Sequence, residues 1–273
     1  MLHLPQNTVS LMPKRLPPRA RAQILRDGEV VRQNFRDAVR PIFYETGVDD
    51  FKYGTAGGTC FIVVFDGAVY GLTCRHAIKG VTDYNLCITD TLYAVRRRAA
   101  AIDGIFLGAN FRGAAAGSDL EDICVIKFHK DADEGFFGNK LYFLDHGTFG
   151  SSKRRHILSM FGVINNNTKI EPPNIYSGLG DLVFSDDGVY ETDSTLRSAE
   201  MVTPHDGSFD CVNGLSGSPV FDETAKKLCG MVVRGSGKGK PRIYYIDIQH
   251  IVSFLSDAHS GRATCEYQVS TGS

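Results

Sequence analysis

Short β-rich apolar runs broken by glycine turns constrain this chain most. Residues 59–65 form one such run, Asp66-Gly67 is a two-residue hairpin signal, and residues 69–73 form the next run. Further runs of strand character fall at 86–88, 102–107, 123–128, 141–144, 157–163, 182–184, 219–221, 228–233 and 243–248. The chain has 29 glycines in 273 residues and is 42% hydrophobic against 22% charged, so it reads as globular and all-β. Counting strands leaves a barrel and a sandwich both open.

Helical spacing appears near both ends. Ile24, Leu25, Val30, Val31, Phe35 and Val39 recur at roughly helical intervals up to Pro41. This N-terminal amphipathic helix would pack on the main domain, meet a partner, or serve as a removable pro-segment. Asp247 is placed to cap a last helix with Ile248, Ile251, Val252 and Leu255 on one face. Residues 165–204 are polar and turn-rich, apart from 182–184, and are expected to be long loops beside a cleft. The tail from Ser260 is expected to fray. The resulting plan is an extension over 1–45, a main domain over 46–260 and a tail over 261–273.

Charge and cysteine usage exclude several function classes. Net charge is −1, so no global field calls for nucleic acid or an anionic membrane. No run approaches the ~20 apolar residues a membrane helix needs, and the N-terminus has no secretory h-region. The seven cysteines sit mostly in apolar runs, which fits reduced core thiols and a cytoplasmic chain. A Cys60–Cys74 disulfide between neighbouring strands is the rival reading. No CxxC pair or helically spaced histidine pair points to a metal, and no cofactor is expected. Gly235-Ser236-Gly237-Lys238-Gly239-Lys240 resembles a phosphate loop, but lacks the full pattern and precedes a strand.

Three stretches carry chemistry. Asn213-Gly214-Leu215-Ser216-Gly217-Ser218-Pro219 sets a serine between glycines, which permit a turn that exposes a hydroxyl and aims N–H groups at one point. Acyl transfer needs that pairing of nucleophile and oxyanion donors, although a plain turn is the simpler reading. Leu72-Thr73-Cys74-Arg75-His76 puts a histidine at the end of an apolar run. Glu121-Asp122-Ile123-Cys124-Val125-Ile126 puts an aspartate at the start of one.

Taken in the order His76, Asp122, Ser216, these stretches resemble the trypsin/chymotrypsin-like serine peptidases, of bacterial or intracellular type. That family's marks are Thr-Ala-Ala-His, Asp-Ile-Ala-Leu and Gly-Asp-Ser-Gly-Gly-Pro. The resemblance spans about Gly54 to Ala258. It implies two six-stranded antiparallel β-barrels meeting near 145–152, with the site between them and a C-terminal helix. It also implies Ser216 as nucleophile, His76 as base, Asp122 as its orienter, and the Gly214 and Ser216 N–H groups as oxyanion hole. Asp119 and Glu121 rival Asp122, and Ser218 rivals Ser216.

Departures from the pattern carry information. Leu215 replaces the aspartate that receives a freed N-terminus in the digestive enzymes, so that activation switch is expected to be absent. Asp210 matches the offset of the trypsin pocket-floor acid, which favours a basic side chain before the scissile bond. Arg242 falls where the same pocket is lined by glycine, which favours an acidic one. Val233, Arg234 and Gly235 resemble the strand edge that hydrogen-bonds substrate backbone. The expected function is a regulated intracellular serine endopeptidase acting on protein or peptide substrates, with a possible regulatory protein partner. The alternative is a catalytically inactive trypsin-like scaffold that binds extended peptides.

Overall fold

The computed structural model describes residues 33, 35–48, 51–78, 86–88, 93–94, 99–110, 117–130, 134–138, 140–164, 169–171, 174–176, 179–190, 195–202, 214–236 and 242–268. Among the described residues, seventeen strands make two mainly antiparallel bodies and one small sheet. The first body contains β1 (Val39–Val48), β2 (Phe51–Phe65), β3 (Ala68–Cys74) and β4 (Leu86–Ile88). It also contains β6 (Ile102–Leu107), β7 (Ile123–Phe128), β8 (Tyr142–Phe143) and β17 (Cys265–Gln268). Its order is β17-β6-β7-β3-β2-β1-β4, with β8 alongside β2, and it forms a half-barrel. The second body is a closed six-stranded barrel. Around it run β12 (Leu179–Tyr190), β13 (Leu196–Met201), β16 (Arg242–Asp247), β15 (Lys227–Ser236), β14 (Pro219–Asp222) and β9 (Ile157–Val163). The small sheet joins β5 (Tyr93–Ala94), β10 (Lys169–Glu171) and β11 (Asn174–Tyr176).

The hairpin signal behaves as expected. Asp66 and Gly67 take φ of 48° and 76°, the left-handed pair that matches the twist of β2 and β3. Asp247 caps the helix Ile248–His259, its Oδ1 accepting from the Gln249 N–H at 3.0 Å. Ile248, Ile251, Phe254 and Leu255 of that helix are fully buried.

Three sequence expectations change. Val39 starts β1 rather than ending a helix, and Pro41 lies within that strand beside a register shift. A bulge tolerates a residue with no N–H, so the proline does not stop the strand. The strand read at 182–184 runs from Leu179 to Tyr190, and β13 follows it where loop was expected. Polar residues enter these strands because they satisfy one another inside the barrel. Asp186 accepts from Arg197 Nη2 and from the Tyr245 hydroxyl, both at 2.9 Å, and from Ser152 Oγ. Finally, Cys265–Gln268 pairs with β6 instead of fraying. Of the N-terminal helix reading, residues 33 and 35–37 are helical, and residues 19–32 and 34 lie outside the described residues.

The two bodies share a core. Phe35 is fully buried, with ring centroids 5.1 Å from Phe61 and 5.6 Å from Tyr142 in the first body. The same ring lies 5.5 Å from Phe161 and 4.7 Å from Phe221 in the second. The six described cysteines are free, Cys60 and Cys74 among them, and all but Cys265 are buried. No described helix is long and apolar enough to cross a membrane.

Candidate active site

Antiparallel pairing explains why a histidine after one strand meets an aspartate before another. β3 and β7 are neighbours with Cys74 opposite Ile123, so the end of β3 and the start of β7 lie at one edge. A 3-10 turn over Arg75–Ile78 carries His76 past that edge, and a second over Asp119–Asp122 delivers Asp122. The His76 backbone N–H donates to Asp122 Oδ1 at 3.0 Å, and Nδ1 lies 2.6 Å from Oδ2. Two contacts to one carboxylate fix both the main chain and the ring.

Ser216 arrives from the second body, in the turn that leads into β14. Its Oγ is 2.7 Å from His76 Nε2 and 3.1 Å from the Val233 carbonyl. One hydroxyl proton therefore faces two acceptors. With His76 neutral and Nδ1–H turned to Asp122, Nε2 accepts that proton. With His76 protonated, Nε2–H donates to Oγ and the hydroxyl turns to Val233. Val233 is free to do this because the β15–β16 register shifts between Val232 and Arg234, a bulge that re-aims the strand beside the site.

The serine turn has left-handed ends, with φ of +95° at Gly214 and +87° at Gly217. A Cβ at Gly217 would collide with the Thr59 carbonyl of the first body. Leu215 is 1% exposed, inside the second barrel's core. Successive carbonyls of the turn are each occupied. Gly214 O accepts from Thr59 Oγ1 at 2.8 Å, Leu215 O from the Ser218 N–H at 2.8 Å, and Ser216 O from the Thr59 N–H at 2.9 Å. Among the described residues the Gly214 and Ser216 N–H groups make no hydrogen bond.

The hydrogen bond to the Asp122 carboxylate raises the His76 pKa above the ordinary 6.5, against the lowering effect of partial burial and with help from the carboxylate's charge. Under the pair lies Cys74, fully buried, its Sγ 3.2 Å from the Val232 carbonyl. Donor atoms of Cys74, His76 and Asp122 lie within 4.8 Å of one another. Burial and the nearby Asp122 push the Cys74 thiol well above its usual range. A metal would have to displace that proton and break the His76–Asp122 bond, so this donor set suits proton holding better than metal holding.

A cavity of about 730 Å³ opens on His76, Asp122 and Ser216. Val233 and Gly235, expected at a substrate edge, line it along with Gly214. β14 pairs with β15 no further than Met231, so β15 beyond it has no strand on that side among the described residues. Asp119 and Arg234 also line the cavity, 4.0 Å apart, and Arg234 lies over the Tyr244 ring at 5.1 Å. Arg234, expected with Val233 and Gly235 at the substrate edge, thus lies at the cavity with both of them.

Other expected residues lie elsewhere. Arg242 does not line the cavity; it pairs with Asp187 at 3.3 Å and Glu200 at 3.2 Å. Asp210 lies outside the described residues. Of the rivals, Glu121 accepts from the Gly117 N–H at 2.7 Å, and Ser218 is buried with its Oγ 3.3 Å from Thr59 Oγ1. Neither meets His76.

Two solved structures from the scabies mite set this arrangement among known folds. Inactivated protease paralogue S-D1 is 12% identical with a TM-score of 0.54, over 87% of this chain and 97% of that chain. Paralogue S-I1 is 12% identical with a TM-score of 0.52, over 84% of this chain and 96% of that one. The fold is chymotrypsin-like. It has two β bodies, with the candidate residues His76, Asp122 and Ser216 at their junction. No protein-family model and no curated protein sequence matches the chain.

Proposed function

We propose that this chain is a serine endopeptidase that hydrolyses peptide bonds through an acyl-enzyme. The observation that carries this reading is the continuous run of contacts from Asp122 to His76 at 2.6 Å and from His76 to Ser216 at 2.7 Å. A serine hydroxyl is too weakly acidic to attack an amide unaided. His76 Nε2 takes its proton as Oγ bonds to the carbonyl carbon, and Asp122 holds the resulting imidazolium. The Gly214 and Ser216 N–H groups receive the oxyanion. His76 then gives the proton to the departing amine. Water repeats the sequence with His76 as base, releasing the acid and restoring Ser216.

The edge of β15 beyond Met231, which no described strand covers, seats the substrate backbone as an added strand. Arg242, held by two carboxylates, leaves Asp210 as the residue favouring a basic side chain before the scissile bond. Burial of Leu215 supports a site assembled without insertion of a new N-terminus. Five buried free thiols support residence in a reducing, cytoplasmic compartment, where a regulatory partner would restrain the enzyme.

A second reading keeps the scaffold and drops the reaction. Both mite proteins above are described as inactivated paralogues, so peptide binding without cleavage is the alternative. Incubation with a mixed peptide library separates the two readings. Cleavage products with wild type and none with Ser216→Ala support the peptidase. Peptides retained uncut by both proteins support the scaffold and overturn the peptidase.

A further inference from the structure

We infer that Thr59, a residue of the first body, is a positioning residue for the anion-binding turn of the second. The inference rests on the serine-peptidase reading, and its test separates the two. The Thr59 hydroxyl is used to capacity. Its oxygen accepts from the Val163 N–H at 2.9 Å and from Ser218 Oγ at 3.3 Å, which fills both lone pairs. Its single proton then has one direction left, toward the Gly214 carbonyl at 2.8 Å. Thr59 is wholly buried, so water cannot substitute for any of these contacts.

The main chain of Thr59 completes the arrangement. Its N–H holds the Ser216 carbonyl at 2.9 Å, and its own carbonyl is held by Thr73 Oγ1 at 2.7 Å. Thr73 lies one residue before Cys74 on the strand that delivers His76. Thr59 therefore fixes the peptide plane that follows the Gly214 N–H and the plane that follows Ser216, and these two flank the plane that carries the Ser216 N–H. The plane between them is closed within the turn by Ser218. Gly217 permits the close approach, since any side chain there would strike Thr59. Releasing the Gly214 carbonyl lets that plane rotate about a glycine, which has little intrinsic resistance, and the two N–H groups no longer converge.

The test compares Thr59→Val, which keeps shape and loses the hydroxyl, with Thr59→Ser, which keeps the hydroxyl. The measurements are the rate of labelling by a fluorophosphonate, the affinity for a peptide aldehyde against that for an uncleaved product peptide, and the Gly214 and Ser216 amide NMR signals. Losing one oxyanion donor costs about 10²–10³ in rate, so mis-aiming is expected to cost roughly tenfold to a hundredfold in Thr59→Val. Aldehyde affinity should fall in parallel while product affinity holds. The two amide signals should move or broaden, and Thr59→Ser should restore all three. Unchanged labelling and amide signals in Thr59→Val overturn the inference. So does spectral change spread across both bodies that serine does not rescue. If wild type itself does not label, the peptidase reading fails, and the amide signals alone decide whether Thr59 sets the turn.

Discussion

His76 answers to two oxygens at once, a carboxylate on one nitrogen and a hydroxyl on the other. The carboxylate raises its pKa, and the sign of the consequence is fixed. A raised value favours the protonated ring, whereas a general base must start neutral. Turnover should therefore appear as pH rises through a midpoint above the ordinary 6.5. Asp122→Asn removes the cause. The acid limb should move to lower pH, and kcat should drop by about 10⁴-fold because the imidazole loses its productive tautomer. A pH–rate profile on both proteins checks this; an acid limb that stays in place in Asp122→Asn would contradict it. The same shift enters stability with the opposite preference. Protonated His76 paired to Asp122 contributes below the unfolded-state pKa, and the contribution is lost as pH rises through the raised value.

The elements that carry these residues are held by burial more than by charge. Leu215 anchors the serine turn in the second barrel's core, so Leu215→Ala should lower stability by about 2–5 kcal/mol and loosen the turn. Gly217→Ala asks for a positive φ and strikes Thr59; a loss of about 2 kcal/mol or more is expected in denaturant titration. In β13, Arg197 is buried beside Asp186 at 2.9 Å and Asp247 at 3.4 Å. Arg197→Met strands two buried carboxylates, and about 3–5 kcal/mol should be lost. A loss under about 1 kcal/mol would mean that the network is not closed as described.

Those same elements explain what could be read in advance. Strands such as Ile102–Leu107 and Ile157–Val163 are apolar runs between turn signals, and period and punctuation suffice for them. β12 and β13 carry Asp186 and Arg197, whose partners come from other strands, so local polarity suggested loop. β1 was hidden by Pro41, harmless only because the register shifts beside it. At the site, His76, Asp122 and Ser216 were legible because each sits beside a strand end or a glycine turn. Thr59 was not, since a threonine in a strand looks the same whether or not its hydroxyl reaches another domain.

Across the whole molecule the two β bodies are joined rather than merely adjacent. Phe35 wedges between Phe61 and Tyr142 on one side and Phe161 and Phe221 on the other. The helix Ile248–His259 leaves β16 of the second body and leads to β17, which pairs with β6 of the first. The described molecule should thus unfold in one calorimetric transition, and Phe35→Ala should lower its midpoint at a cost of about 3–5 kcal/mol. Two resolved transitions in wild type would show that the shared core does not couple the bodies. Coupling matters for chemistry because His76 and Asp122 belong to one body and Ser216 to the other. The most direct check is intact-protein mass after fluorophosphonate treatment, with the modified residue located by fragmentation. A single adduct on Ser216, lost in Ser216→Ala and strongly slowed in His76→Ala, is the expected result. Well-folded wild-type protein that takes up no label, or that takes it equally without His76, would contradict it.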